Sequence, residues 1–244
     1  MHTRSTRSAA VLLGALALGA TSVQAQSGSA TVDTRTSLYL AGGNAYTATP
    51  PGGPTGGGIA PTAIALDAGA GRVLRVDASG TSFFCDGNTC GTASPDGPSI
   101  GATDLNSSGS IAGLTAPTSG FLAAVFLGPS LPGSAPARLS FAGTDFASAA
   151  PQLGQIFFVG NGFTSGGVQQ QFLVPDAATR LYFGIADGGS FFGDPGFYND
   201  NVGTFTARYD VAAGSVVPEP STYVLLGSGL VALAGVARRR RPTA

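Results

Sequence analysis

Glycine and proline interrupt this chain so densely that only short elements fit between them. There are 38 glycines and 16 prolines among 244 residues. A glycine inside an element costs about 0.5–1 kcal/mol of backbone entropy relative to alanine, and a proline inside a helix costs about 3 kcal/mol. The runs between them show a period of two, the period of a strand. In TFTARYDV, Phe205, Ala207, Tyr209 and Val211 alternate with Thr204, Thr206, Arg208 and Asp210. RLYFGIAD puts Leu181, Phe183 and Ile185 on one face, with Asp187 just past its end. RVLRVDASG alternates Leu74 and Val76 with Arg75 and Asp77. GFLAAVFLG is apolar throughout, as expected of a central strand covered on both faces. QIFFVGNG and QQQFLVPD supply two more strands, the second ended by Pro175. AYTATPPGGPTGGGIAP, from Ala45 to Pro61, is too rich in glycine and proline for a strand and is expected to form a loop or arm. Strands recurring between turn signals, with no convincing helix, predict an all-β fold, an antiparallel β-sandwich.

Composition then excludes several kinds of chemistry. Between Gln26 and Val217 there is no lysine, and the only acids are twelve aspartates, facing six arginines. A domain this acidic has no basic surface to neutralise phosphates, so no nucleic-acid partner is expected. The one histidine is His2. The domain therefore cannot build a Ser-His-Asp triad, a His-ligated zinc site or a Schiff-base lysine. Aspartates in pairs can do acid–base work, but no pair stands out as acid and base, and the chain is expected not to be an enzyme.

The two ends read as addresses. Residues 1–25 begin with Arg4 and Arg7, continue through an apolar run from Ala9 to Ala20, and close on Val23-Gln24-Ala25. That order is a signal peptide for signal peptidase, with a mature start at Gln26. Export implies an oxidising compartment, so Cys85 and Cys90 in CDGNTC are expected to form a small-loop disulfide contributing about 2 kcal/mol. The other end holds Pro218, Glu219 and Pro220, an apolar stretch from Tyr223 to Ala237 within a helix expected over 221–237, and a basic tail of Arg238, Arg239, Arg240 and Arg241. The apolar stretch is short for a spanning helix, and the arginines orient it with the preceding domain outside. Those three parts in that order closely resemble the PEP-CTERM sorting signal of Gram-negative bacteria. The resemblance implies processing by an exosortase, transient passage through the inner membrane, and delivery to the cell surface or extracellular matrix. The chain is thereby divided into a signal peptide (1–25), a β-sandwich domain (26–211), a linker (212–217) and the sorting signal (218–244).

Within the domain, IADGGSFFGDPGFYNDNVGTF gathers oxygen-bearing side chains near two strand ends. Asp187 ends one strand, and Asp200 and Asn201 precede the next. If the two strands are neighbours, these side chains converge. Two carboxylates, an amide oxygen and backbone carbonyls form a hard-oxygen set suited to Ca²⁺ more than to Mg²⁺. The same residues are also ordinary turn formers, and spacing alone leaves both readings open.

The order QQFLVPDAATRLYFGIAD followed by PGFYNDNVGTFTARYDV resembles the C-terminal half of the calcium-dependent galactose-binding lectins of the PA-I type. The resemblance implies a small jelly-roll-like β-sandwich with one Ca²⁺. Carried over position by position, the family's strand-end Asp ligand falls on Asp187, its paired amide ligands on Asp200 and Asn201, and its turn carbonyl on Phe197. A further carbonyl falls near Phe84. The loop after Asp187 is longer than the family's, which leaves Asp194 as an alternative to Asp187. Asp stands at 200 where the family has Asn, and the family's sugar-contacting histidine has no counterpart. The function implied is a calcium-stabilised lectin-like domain binding carbohydrate, with the cell's own exopolysaccharide as partner and Asp187 and Tyr198 touching the sugar; Phe192 is a second candidate platform. The alternatives are a structural biofilm or surface protein with no specific ligand and, behind it, a hydrolase.

Overall fold

The computed structural model describes residues 25–45, 58–84, 91–98 and 101–214. All of the expected signal peptide (1–25) but its last residue, most of the Ala45–Pro61 arm, the Cys85–Cys90 pair and the sorting signal at 218–244 lie outside the described residues. Among the described residues the fold is all-β, with helical content confined to short 3-10 turns such as Leu38–Gly43, Gly189–Phe191 and Tyr198–Asp200. Among the described residues no helix is long and apolar enough to cross a membrane.

Three sheets form where a two-sheet sandwich was expected. The first runs β1 (Gln26–Asp33), β13 (Asn201–Ala213), β3 (Arg72–Phe84), β10 (Gln171–Val174) and β8 (Ser148–Ala149). The second runs β2 (Ile64–Ala65), β11 (Arg180–Gly184), β6 (Ala123–Leu127) and β9 (Ile156–Phe158). The third runs β12 (Phe192–Gly193), β4 (Thr103–Leu105), β5 (Leu114–Ala116) and β7 (Leu139–Ser140). Pairing is antiparallel in the long ladders, but β8 on β10, β12 on β4 and β7 on β5 are parallel. Those parallel contacts are only two residues long and sit at sheet margins, where a loop passing alongside an edge can add a bond or two in either direction.

The longest ladder is the ribbon of β3 and β13, paired from Arg72↔Ala213 to Phe84↔Asn201. Its alternation is the one read from the sequence: Leu74, Val76, Phe205, Ala207 and Val211 are buried. Gly80 and Gly203 let the two backbones close on each other. They have φ of +128° and +118°, and a Cβ on either would lie 2.3 or 2.4 Å from a carbonyl oxygen of the opposite strand. Beyond them the ribbon ends in Phe84 and Asn201.

The second sheet lies between two cores. Leu181 and Phe183 of β11, with Ala124 and Phe126 of β6, pack in one cluster with Leu74, Val76, Phe172 and Phe205 of the first sheet. Tyr182, Ala123, Val125 and Leu127 pack in the other, with Leu105 and Leu114 of the third sheet and Leu38 and Tyr39. All five residues of β6 are therefore buried, which is why its sequence shows no alternation: consecutive side chains point to opposite faces, and here both faces are interior.

Arg72 opens β3 and is 1% exposed. Its guanidinium donates to the carbonyls of Asp67, Gly69, Pro175, Asp176 and Ala178. It thereby ties the approach to β3 to the turn between β10 and β11. The last strand runs to Ala213, two residues past the expected domain boundary at 211.

Candidate functional site

Asp187, Asp200 and Asn201 come together, but not as neighbours in one sheet. The strand leading to Asp187 belongs to the second sheet and β13 to the first. The chain carries on from β11 through Ile185, whose backbone bonds to Thr36 and Leu38, and Asp187 then meets the start of β13 across the gap between sheets. Asp187 is 3% exposed and Asn201 2%. Asn201 Nδ2 donates to Asp187 Oδ2 at 2.8 Å and to the Thr34 carbonyl at 3.0 Å. The backbone N–H of Gly188 donates to Asp187 Oδ1 at 2.7 Å.

Burial pushes the Asp187 carboxyl well above the ordinary carboxylate range. The hydrogen bonds from Asn201 and Gly188 oppose that rise, and the charge of Asp200 adds to it. A buried acid thus feels the charge of half-buried Asp200, an arrangement that favours either a proton or a bound cation at Asp187. Asn201 Oδ1 is buried with no hydrogen-bond partner, and Asp200 Oδ1 is buried beside it in sequence. An unpaired buried amide oxygen costs about 1–3 kcal/mol, and a hard cation satisfies such an atom. Among the described residues no group of three or more His, Cys, Asp or Glu is placed to hold a metal ion; the set here is two carboxylates and an amide.

The long loop after Asp187 is closed at its base. Gly188 bridges Pro195, and Gly196 N donates to the Asp187 carbonyl at 3.0 Å. Asp187 therefore abuts Gly196 although eight residues intervene in sequence. Asp194 sits on the same loop, and its Oδ1 accepts from Asn106 Nδ2 at 2.9 Å. Phe197 has a left-handed backbone, φ +64° and ψ +19°, and leads into the Tyr198–Asp200 turn. Phe84 faces Asn201 directly across the ribbon.

Tyr198 is placed differently from its expected role as a sugar contact. It is fully buried, accepting from Asp187 N at 3.1 Å and donating to the Ile185 carbonyl at 3.3 Å. Its ring belongs to the core, and its hydroxyl fixes the backbone at Asp187. Phe192 is exposed in β12, on the margin of the third sheet. The open surface near the cluster is instead a cavity of about 460 Å³ whose wall includes Phe84, Phe191, Phe197 and Asp200. Phe191 lay in the quoted loop as one of two consecutive phenylalanines; only the turn Gly189–Phe191 decides which of the two faces inward.

Comparison with known proteins gives two matches. Residues 216–241 match the model of the PEP-CTERM protein-sorting motif. The chain thus carries that motif, which lies outside the described residues and marks exported proteins sorted to the cell surface. A solved structure described as the EclA N-terminal domain, a PllA-like lectin, aligns over 74% of this chain and 92% of its own, at 17% identity and a TM-score of 0.34. At that distance no residue role passes from one protein to the other. No curated protein matches the chain at a significant level.

Proposed function

We propose that this is an exported, exosortase-processed surface or matrix protein whose three-sheet β domain holds one Ca²⁺ and binds neutral glycans without chemical turnover. The observation that carries the reading is the Asp187–Asp200–Asn201 cluster, with Asn201 Oδ1 buried and unpaired beside two acids. Those donors fit a hard cation. Asp187, Asp200 and Asn201 would hold it with their side-chain oxygens, and Phe197 and Phe84 with carbonyls. When bound, such an ion supplies an electrophilic position that vicinal sugar hydroxyls can fill. The chain's own residues do the rest: Tyr198 holds the Asp187 backbone, Thr34 and Asp187 orient the Asn201 amide, and the closed loop base keeps Asp187 against Gly196. The partner that fits the export address is the exopolysaccharide of a Gram-negative cell. Asp194, already hydrogen-bonded to Asn106, is left out of the ligand set.

The full chain, melted in calcium and in chelator, tests this. A site occupied at a hundredfold excess over Kd stabilises by about 2.7 kcal/mol, a rise of about 5–10 °C for a domain of this size. Asp200→Ala should abolish the rise. A variant that responds to calcium as the parent does removes the site assignment. A neutral-glycan array with and without chelator tests recognition. A calcium-dependent rise in Tm with no glycan signal leaves a surface protein in which calcium only stiffens the loop.

A further inference from the structure

A sheet edge carries unpaired N–H and C=O groups and pairs with any strand that reaches it. Folds usually blunt such edges by keeping the edge strand short, by placing lysine or proline on it, or by a bulge. Among the described residues, five of the six sheet margins are blunted by length: β8, β2, β12 and β7 have two residues each and β9 has three. The sixth, β1, has eight, QSGSATVD, with no lysine and no proline. Its pairing with β13 runs unbroken from Gln26↔Val211 to Asp33↔Thr204, so no bulge interrupts it. Among the described residues the backbone from Gln26 to Val32 pairs with β13 alone. Its other side is a long, regular edge without any of the usual guards.

The strand that fits this edge best is β1 itself. Ala30 and Val32 pack toward the core, and Ser27, Ser29 and Thr31 are exposed on the opposite face. A second copy laid antiparallel about Ser29 overlaps the strand from Gln26 to Val32 and keeps the two faces matched. Ser29 then opposes the partner's Ser29, Ser27 opposes the partner's Thr31, and Gly28 opposes the partner's Ala30. Ser–Thr pairs across strands are favourable, whereas like charges directly opposite are not. The one charged side chain of the strand, Asp33, falls opposite position 25, past the strand's end, and is paired with Arg35 at 2.6 Å. No like charges meet. A surface that meets itself in this way is isologous, so the assembly closes at two copies and does not grow into a fibre.

We infer that the free edge of β1 is the docking surface for a second copy of this chain, which joins two five-stranded sheets into one across a two-fold axis at Ser29. The inference goes beyond the calcium and glycan reading and does not depend on it. The strands of the two copies run in opposite directions, so the polar clusters at the Asn201 end of β13 lie at opposite ends of the dimer. Arg208 lies beside Ser29. The run from there to Asn201, at about 3.3 Å per residue, sets the two clusters about 45 Å apart along the strands. A chain with one such cluster thereby becomes a two-ended particle.

The experiment uses the full chain. In sedimentation velocity over a concentration series the parent should pass reversibly from monomer to dimer. Ser29→Glu gains Arg208 as a neighbour within its own sheet but sets two carboxylates face to face across the dimer. It should weaken dimerisation at least tenfold at unchanged Tm, and an equimolar mixture of Ser29→Glu with Ser29→Lys should restore it. Cross-linking under oxidising conditions checks the register. Directly opposed Cα atoms lie about 4.5–5.5 Å apart, within disulfide reach, so Ser29→Cys should give a covalent dimer. Ser27→Cys alone should not, and its mixture with Thr31→Cys should. The parent, with only Cys85 and Cys90, is the control. A parent that stays monomeric across the series overturns the inference. So does a dimer that Ser29→Glu leaves intact, and so does cross-linking through Ser27→Cys alone that equals cross-linking through Ser29→Cys. None of these readouts uses calcium or glycan, so their failure leaves the reading above standing.

Discussion

A guanidinium buried to 1% exposure must direct its N–H donors at protein acceptors, and Arg72 directs them at five carbonyl oxygens from two turns. Arg72→Met would leave those carbonyls short of a donor and should destabilise by about 3–5 kcal/mol. Arg72→Lys should recover little, because an ammonium cannot copy the planar fork. Urea unfolding monitored by fluorescence or circular dichroism checks this as a lower midpoint at unchanged slope. Nothing in RVLRVDASG distinguishes Arg72 from the half-exposed Arg75, since its partners are backbone atoms more than a hundred residues away in part. The residues of the polar cluster were more legible. Asp187 closes an alternating run, and Asp200-Asn201 precedes another, so both strand ends carried visible oxygen donors. What the sequence did not display was depth: Tyr198 is as suited to a surface platform as to an interior post, and only the left-handed Phe197 ahead of it settles that its ring turns inward.

At the scale of elements, β6 shows what a strand between two cores requires. Phe126 stacks on Phe157 at 5.1 Å on one face, while Val125 lies in the other cluster. Phe126→Ala should therefore cost about 3–5 kcal/mol, whereas Val202→Ala, at a position 52% exposed, should stay within about 0.5 kcal/mol; chemical unfolding of the two variants side by side measures the contrast. The unbroken apolar run made β6 readable as a doubly covered strand. The long ladders of β3 and β13 were readable because thirteen residues show several cycles of alternation. The third sheet was not readable. Its strands are two or three residues long, less than two periods, and its pairing depends on loops passing one another. The layer it adds is what turns an expected sandwich of two sheets into three.

At the scale of the whole molecule, the sorting motif and the β domain are separate parts of one chain. The sorting motif occupies 216–241 and is contiguous, so it could be read directly; the polar cluster joins residues fourteen positions apart through a fold and could only be suspected. Replacing Pro218, Glu219 and Pro220 with alanines should leave the exported chain in the membrane fraction, whereas the parent reaches the surface or medium; fractionation of cells producing each form decides it, and equal release of both would detach the motif from processing here. The pinched loop between Gly188 and Pro195 has its own consequence. Because Asp187 and Gly196 are already clasped below it, residues can be added or exchanged at its crest without disturbing the clasp. Nature can thus refit the visor while leaving the socket beneath untouched, and homologous chains should vary most in length at that one place.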